Sequence, residues 1–341
     1  MKRPALLLFF SIFCFFSCAS GGVTTAEEYY SLGMAYFDMG KYAEAEKWLN
    51  RARMMDKTKV ASEYNLGRIA FETGRYQDAV RHFDRILAKD KDNVMALKAA
   101  AYTRIKTSEF VLAEGLYSRV LTLEPESVDQ GYNYALVLMA LEKPEQAEDV
   151  LLKYQVAMAD NKDTLLLLAR ARKALNKVEA VDDYNEWLQT NSDNTVRYEY
   201  AQVLESAQFY ARALEEYRTV VNALPQGQSA SPPVPGTLDR ASVRFTIARL
   251  LLIADPEKTD GITELETAIT DGFSDTEKLE ILLTEPGISA ASKDEIHRVI
   301  ENLEKAKLDA EKAEAEKAEA EAKEPPEDDG QDSIDDAAME G

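Results

Sequence analysis

Cysteine and histidine, the usual ligands of zinc and other transition metals, are nearly missing from this sequence. Its 341 residues contain two of each, Cys14 and Cys18 near the N-terminus and the widely separated His82 and His297. A metal site needs several such ligands close together. The sequence therefore predicts no metal centre.

Glycine and proline are also sparse, at 15 and 11 residues. The abundant alanine, glutamate, leucine and lysine favour helix. No segment has the pattern of a strand, and no glycine-rich phosphate loop follows one. We therefore expect an all-α protein without cofactors. We also expect it not to be an enzyme, because a catalytic function must be argued from a clustered polar site and the sequence offers none.

Basic residues are outnumbered: 40 Lys and Arg face 61 Asp and Glu, for a formal net charge of -21. Binding to nucleic acid, or to an anionic membrane through surface charge, requires a basic surface. The composition argues against both. The acidic excess is uneven, since residues 306–341 contain four Lys and fourteen Asp or Glu. We predict an acidic low-complexity tail over residues 309–341.

Long apolar runs are confined to residues 5–16, and twelve residues are too few for a membrane-spanning helix, which needs about 20. Lys2 and Arg3 precede this run, as in an export signal. The adjoining "FFSC" resembles a lipobox, in which a small residue precedes a cysteine that is lipidated after cleavage. This resemblance implies a signal peptide over residues 1–17, palmitate or a similar acyl chain on Cys18, and a short linker over residues 18–25.

Two alternatives remain open for the N-terminus. One is a plain secretory signal cleaved at Ala19 or Gly21, and the other is an uncleaved anchor. If Cys18 is lipidated, Cys14 is lost with the signal and the mature chain has no free thiol. We then expect a lipid-anchored protein of the bacterial envelope with its main domain in the periplasm. Ala19 is not Asp, which by resemblance to the enterobacterial sorting rule favours the outer over the inner membrane.

An internal repeat dominates the rest of the chain. Identical residues recur 34 positions apart at Gly33 and Gly67, Gly40 and Gly74, Tyr42 and Tyr76, and Ala45 and Ala79. From Ala26, large apolar residues fall at unit positions 4, 7, 11, 17 and 24, and small residues at 8, 20 and 27. Two helices can cross closely where side chains are small, while large side chains fill the space around the crossing. The pattern predicts a repeating pair of helices.

This pattern resembles the tetratricopeptide repeat, or TPR. The resemblance implies a TPR-type helix-turn-helix solenoid with C-terminal capping helices and the acidic tail. Six units would span residues 26–227, followed by a Pro/Ser-rich loop over 228–240 and a divergent seventh unit with capping helices over 241–308. In the fifth unit, Ala180, Tyr184 and Trp187 fall one position early, which predicts a shortened turn between its helices.

In TPR proteins the first helix of each unit lines a concave groove. The matching positions here are mostly aromatic or basic. The resemblance thus implies a partner-binding groove formed by Tyr30, Met34, Phe37, Tyr64, Arg68, Phe71, Lys98, Tyr102, Lys106, Tyr132, Asn133, Arg170, Lys173, Tyr198, Gln202, Phe245 and Arg249. The family's dicarboxylate clamp is not expected, because Tyr30 and Met34 replace its first Lys and Asn.

We expect this groove to bind a protein partner through an acidic segment or a C-terminal carboxylate. The competing interpretation is that the basic residues pair with neighbouring acids such as Glu72 or Glu205, and that the rings are half-buried packing. For the whole protein we expect a membrane-anchored scaffold or adaptor in envelope assembly or a transport complex. The alternative is a periplasmic carrier, or a transporter-associated protein, for a small hydrophobic or acidic ligand.

Overall fold

The computed structural model describes residues 25–55, 60–154, 161–225, 237–254 and 259–321. The predicted signal peptide, Cys18, most of the predicted loop over 228–240 and the end of the acidic tail lie outside the described residues. The described residues form sixteen helices and no strand, which confirms the all-α prediction. Their bounds are α1 Ala26–Asp38, α2 Tyr42–Met55, α3 Val60–Glu72, α4 Tyr76–Leu87, α5 Val94–Lys106, α6 Phe110–Leu123, α7 Val128–Ala140, α8 Pro144–Tyr154, α9 Lys162–Ala174, α10 Ala180–Thr190, α11 Asn194–Ser206, α12 Tyr210–Ala223, α13 Arg240–Ala254, α14 Asp260–Thr270, α15 Thr276–Thr284 and α16 Ala290–Glu321.

The helices divide into two compact units, residues 1–175 and 176–341. In the first, each helix from α1 to α9 packs on the next, and α7 also contacts α5 and α9. In the second, the sequential packing runs from α10 to α14, and α16 packs on α14 and α15. Among the described helices, none combines the length and the apolar character needed to cross a membrane.

Small residues allow the two helices of a repeat to cross closely. A Cβ atom built on Gly33 would lie 2.7 Å from Leu49 Cγ, and one built on Gly67 would lie 2.6 Å from Phe83 Cε1. Ala45 and Ala79 occupy the second small position and are fully buried. These contacts explain why the period-34 glycines and alanines are small.

The fourth repeat exchanges the sizes at another pair of positions. In the first repeat, position 4 is the large Tyr29 and position 27 the small Ala52, both buried. In the fourth repeat position 4 is Gly131 and position 27 is Tyr154, whose ring would lie 2.4 Å from a Cβ on Gly131. The Tyr154 hydroxyl donates to the Pro125 carbonyl oxygen at 2.6 Å. The crossing is thus filled from the second helix instead of the first.

The turn between the two helices of a repeat has the same backbone geometry in six repeats, although its side chains differ. Gly40 and Gly74 have φ of 70° and 75°, in the left-handed region. The same unit position in the next four repeats holds non-glycine residues, also left-handed: Ser108 (58°), Glu142 (57°), Asn176 (54°) and Gln208 (63°).

The fifth repeat departs from the sequence prediction. Its connection between α9 and α10 runs over five residues, against three between α1 and α2, so the predicted shortened turn is wrong. Three successive i→i+3 hydrogen bonds, starting with Ala180 N to the Lys177 carbonyl oxygen at 3.2 Å, wind the chain tightly into α10. Such a turn rises more per residue than an α-helix. Ala180 and Tyr184 can therefore reach the core one residue early, and both are fully buried.

Candidate partner-binding surface

Helices α1, α3 and α5 begin at the same position of successive 34-residue units, so their side chains recur in register. Thr25 fixes the first of these starts, because its hydroxyl accepts from Glu28 N at 3.2 Å and its own N–H donates to Glu28 Oε2 at 2.9 Å. We call the predicted groove residues on these three helices the first-helix surface. They are Tyr30, Met34, Phe37, Tyr64, Arg68, Phe71, Lys98, Tyr102 and Lys106. Tyr102 and Lys106 are exposed and the other seven are half-buried.

Arg68 joins the first two repeats. Its guanidinium carbon lies 4.4 Å from the centroid of the Phe37 ring. Its Nη1 donates to Asn65 Oδ1 at 3.1 Å, and Asn65 Nδ2 donates in turn to the Tyr30 hydroxyl at 3.0 Å. A stacked and hydrogen-bonded guanidinium loses little further freedom when it binds a partner. Arg68 is therefore a preorganised cation.

Phe71 and Tyr102 continue the surface from the second repeat to the third. Their ring centroids are 5.5 Å apart, and Phe71 also meets Tyr76 edge-on at 5.3 Å. Lys106 Nζ lies 5.4 Å from the Tyr102 ring centroid. In the described part of the chain, neither Lys106 nor Arg68 forms an ion pair with a carboxylate. Both cations lie against aromatic rings, and neither has a carboxylate of the described residues within ion-pairing distance.

Other predicted basic residues behave as the competing interpretation expected. Lys98 Nζ pairs with Glu124 Oε2 across its own repeat. Arg249 pairs with Glu205 and also lies 3.8 Å from Glu285 Oε1. These two cations are already neutralised, which distinguishes them from Arg68 and Lys106.

The fourth and fifth repeats bring further predicted residues together. Burial raises the pKa of Tyr132, Asp163 adds to the rise, and Arg170 opposes it. Tyr132 on α7 is therefore within electrostatic range of both α9 side chains. Asn133 and Lys173 are half-buried, and Lys173 and Arg170 each have a further contact.

In the second compact unit the predicted groove residues are mainly tied to their neighbours. The Tyr198 hydroxyl lies 3.3 Å from Thr246 Oγ1, and its ring packs on Tyr217 with centroids 5.3 Å apart. Gln202 is half-buried and has a contact of its own.

Phe245 corrects the prediction. It was expected to line the groove, but it is 8% exposed and stacks on Phe273 with centroids 4.3 Å apart. The cluster around it includes Leu279 and Ile296 from α15 and α16. The capping helices α15 and α16 cover this position in the seventh unit, whereas the earlier units leave it at the surface.

Asn65 was missed by the sequence reasoning. It is 5% exposed and holds both Tyr30 and Arg68, so it organises the first-helix surface. A signal was available: Asn65 occupies position 6 of the second unit, the position that Asn133 occupies in the fourth. An asparagine within a helix surrounded by apolar residues needs hydrogen-bond partners when it is buried.

The stacked helix pairs define a class of protein, the helical repeat proteins, in which each unit packs on its neighbours. A family model described as tetratricopeptide repeat matches residues 24–92, and a second with the same description matches residues 64–128. The crystal structure of a tetratricopeptide repeat protein from Parabacteroides merdae has the same fold. It is 20% identical, with a TM-score of 0.50, over 76% of this chain and 97% of that one. Residues 24–128 therefore contain tetratricopeptide repeats, and the chain has a TPR-like fold.

Two other solved structures are similar at lower TM-scores. Pseudomonas aeruginosa pilF is 17% identical, with a TM-score of 0.49, over 65% of this chain and 97% of its own. MamA from Desulfovibrio magneticus RS-1 is 19% identical, with a TM-score of 0.46, over 48% of this chain and 93% of its own. No curated protein sequence matches the chain. Identities this low concern the fold alone. TPR proteins typically bind protein partners and are generally non-catalytic scaffolds.

Proposed function

We propose that this protein is a lipid-anchored TPR scaffold of the bacterial envelope that binds an acidic segment of a protein partner through the first-helix surface. The observation that carries the proposal is the contrast between two kinds of cation. Lys98 and Arg249 are neutralised within the chain, whereas Arg68 and Lys106 lie against aromatic rings without a carboxylate partner in the described residues.

The chemistry of this surface favours a carboxylate-bearing partner. Arginine binds carboxylates through charge-assisted hydrogen bonds that are about twice as strong as neutral ones. Aromatic and arginine side chains are also the usual anchors of protein interfaces. Arg68 and Phe37, followed by Phe71, Tyr102 and Lys106, offer both kinds of contact over three successive repeats.

The membrane part of the proposal rests on residues 1–18. Their basic start, short apolar run and "FFSC" sequence support an acyl chain on Cys18, which supplies the membrane affinity that an acidic surface lacks. We propose that the repeats lie in the periplasm, at the outer rather than the inner membrane, as part of an assembly or transport complex. Palmitate labelling tests the anchor: wild type and Cys14→Ala should take label, and persistent labelling of Cys18→Ala would overturn the assignment.

The partner surface is tested by crosslinking in the native envelope, with mass spectrometry of the trapped protein. Arg68→Glu combined with Lys106→Glu should abolish the crosslink. Arg81→Glu combined with Arg298→Glu is the matched control, because it makes the same total charge change at two exposed arginines, which pair with Asp78 and Glu295. Equal recovery from the double variant and wild type would refute the proposed surface.

The carrier alternative remains a prediction. The rings that would line a ligand cavity are engaged with neighbouring rings: Phe37 with Tyr42 at 5.6 Å and Tyr64 with Phe83 at 5.6 Å. These contacts suit a packed binding face. Mass spectrometry of natively purified protein separates the two functions, because a copurified lipid or acid would favour the carrier.

A further inference from the structure

The first helix pair carries exposed apolar side chains at the end where the chain enters it. Helices α1 and α2 are joined by a three-residue turn and pack against each other, so the start of α1 lies beside the end of α2. Two contacts support this arrangement. The Tyr29 ring stacks on Trp48 with centroids 5.7 Å apart, and the Arg51 guanidinium lies 5.0 Å from the Tyr29 ring centroid.

At this end Met54 is 73% exposed, Met55 54% and Val60 40%. We call these three residues the methionine edge. Arg51 is exposed beside them, and Glu27 and Glu28 occupy the adjoining first turn of α1. Exposed apolar side chains that lie close together on a protein surface mark an interaction site. An apolar tip flanked by charges of both signs suits the boundary between lipid headgroups and acyl chains, where only the tip leaves water.

The sequence between Cys18 and the first repeat limits how far this edge can be from a membrane. Seven Cα steps separate Cys18 from Thr25, so the two are at most about 25 Å apart even when the linker is fully extended. A tether of this length gives the edge a high effective concentration at the bilayer. A contact too weak to hold a free protein on a membrane is then populated.

We propose that the methionine edge rests on the bilayer that holds the acyl chains of Cys18, with Met54 and Met55 entering the headgroup boundary. This inference rests on the proposed lipid anchor. It goes beyond that anchor because it fixes an orientation: α1 and α2 stand on the membrane with their connecting turn directed away from it. The first-helix surface then lies close to the bilayer but does not face it.

Met39 provides an internal control. It is 58% exposed, as an apolar side chain of the same type, but it lies at the turn between α1 and α2. The 14 residues of α2 rise by about 21 Å. In the proposed orientation Met39 is therefore well outside the lipid.

The experiment uses the mature acylated protein, without its signal peptide and Cys14, in vesicles of phosphatidylethanolamine and phosphatidylglycerol. Met54→Cys, Met55→Cys and Met39→Cys are each labelled with an environment-sensitive fluorophore, which the acylated Cys18 cannot take up. Lipids brominated on their acyl chains should quench the probe at positions 54 and 55 and leave the probe at position 39 unchanged.

If brominated lipids leave the emission unchanged at all three positions while Cys18 still carries palmitate, the inference is overturned. Quenching at position 39 alone would overturn it as well, because the helix pair would then be inverted. Absence of palmitate would overturn both the anchor and this inference. The labelling result thus distinguishes the failure of one from the failure of the other.

Discussion

Replacing Gly67 with alanine should destabilise the second repeat, although alanine is the better helix former. The new Cβ would lie 2.6 Å from Cε1 and 2.8 Å from Cζ of Phe83, whereas carbon atoms in favourable contact are about 3.5–4.0 Å apart. The ring would have to move by about 1 Å. Phe83 is 2% exposed and packs on Tyr64, so it has little room to do so.

The net change in stability is the difference between the cost of overpacking and the gain in helix propensity. Overpacking of a filled core costs about 1–3 kcal/mol, and alanine gains about 1 kcal/mol over glycine in a helix interior. We therefore expect Gly67→Ala to lower the free energy of unfolding by up to about 2 kcal/mol. Gly115→Ala isolates the second term, because no atom lies within 4 Å of a Cβ at that position. It should stabilise the protein by about 1 kcal/mol.

Urea unfolding followed by circular dichroism measures both variants. Hydrogen exchange of α3 and α4 should be read alongside it, because the stability of repeat proteins is partly local. Faster exchange is expected in these two helices of Gly67→Ala. If Gly67→Ala and Gly115→Ala are equally stabilising, the helices of the second repeat do not cross as closely as argued.

Four further outcomes are expected, and the first two are measured in thermal melts. Tyr217→Phe should destabilise by about 1–3 kcal/mol, because the Tyr217 hydroxyl donates to Glu205 at 3.0 Å. Tyr117→Phe should be neutral or stabilising in the same thermal melts, because its buried hydroxyl has no hydrogen-bond partner among the described residues. A loss of stability equal to that of Tyr217→Phe would contradict this. Glu142→Gly should raise the free energy of unfolding in urea by about 1 kcal/mol by relieving its left-handed backbone; a decrease would contradict it. Burial lowers the pKa of His82 below its ordinary 6.5, so the unfolded chain binds the proton more readily and stability should fall as pH drops through about 6.5. Urea titrations at several pH values should show a flatter dependence in His82→Gln, and an unchanged one would refute the assignment.

The repeating architecture could be predicted because it depends on residue size at fixed spacing. Gly33, Gly67, Ala45 and Ala79 are small where helices cross, and that requirement appears in the sequence itself. The left-handed turn position was harder to recognise. Glycine marks it only twice, while Glu142 and its counterparts adopt the same geometry because the surrounding hydrogen bonds impose it.

The candidate surface could be predicted only in part, because a sequence position does not reveal which charges are already paired. Lys98 finds its carboxylate 26 residues away, and Arg249 finds one 44 residues away. Neither separation matches the 34-residue period. Phe245 was misplaced for a related reason: its burial depends on α15 and α16, which have no counterpart in the earlier units.

The exchange of sizes between positions 4 and 27 limits how this chain can be altered. A tyrosine placed at position 131 to match Tyr29 would meet Tyr154, and an alanine placed at position 154 to match Ala52 would leave a cavity beside Gly131. The double replacement keeps the volume of the crossing nearly constant, since it adds a single methyl group. The first and fourth repeats therefore fill the same helix crossing with a large side chain from opposite helices. Replacing the two residues one at a time would pass through one intermediate, overfilled or underfilled according to which residue is changed first. Repeats that are shuffled would have to exchange both helices together.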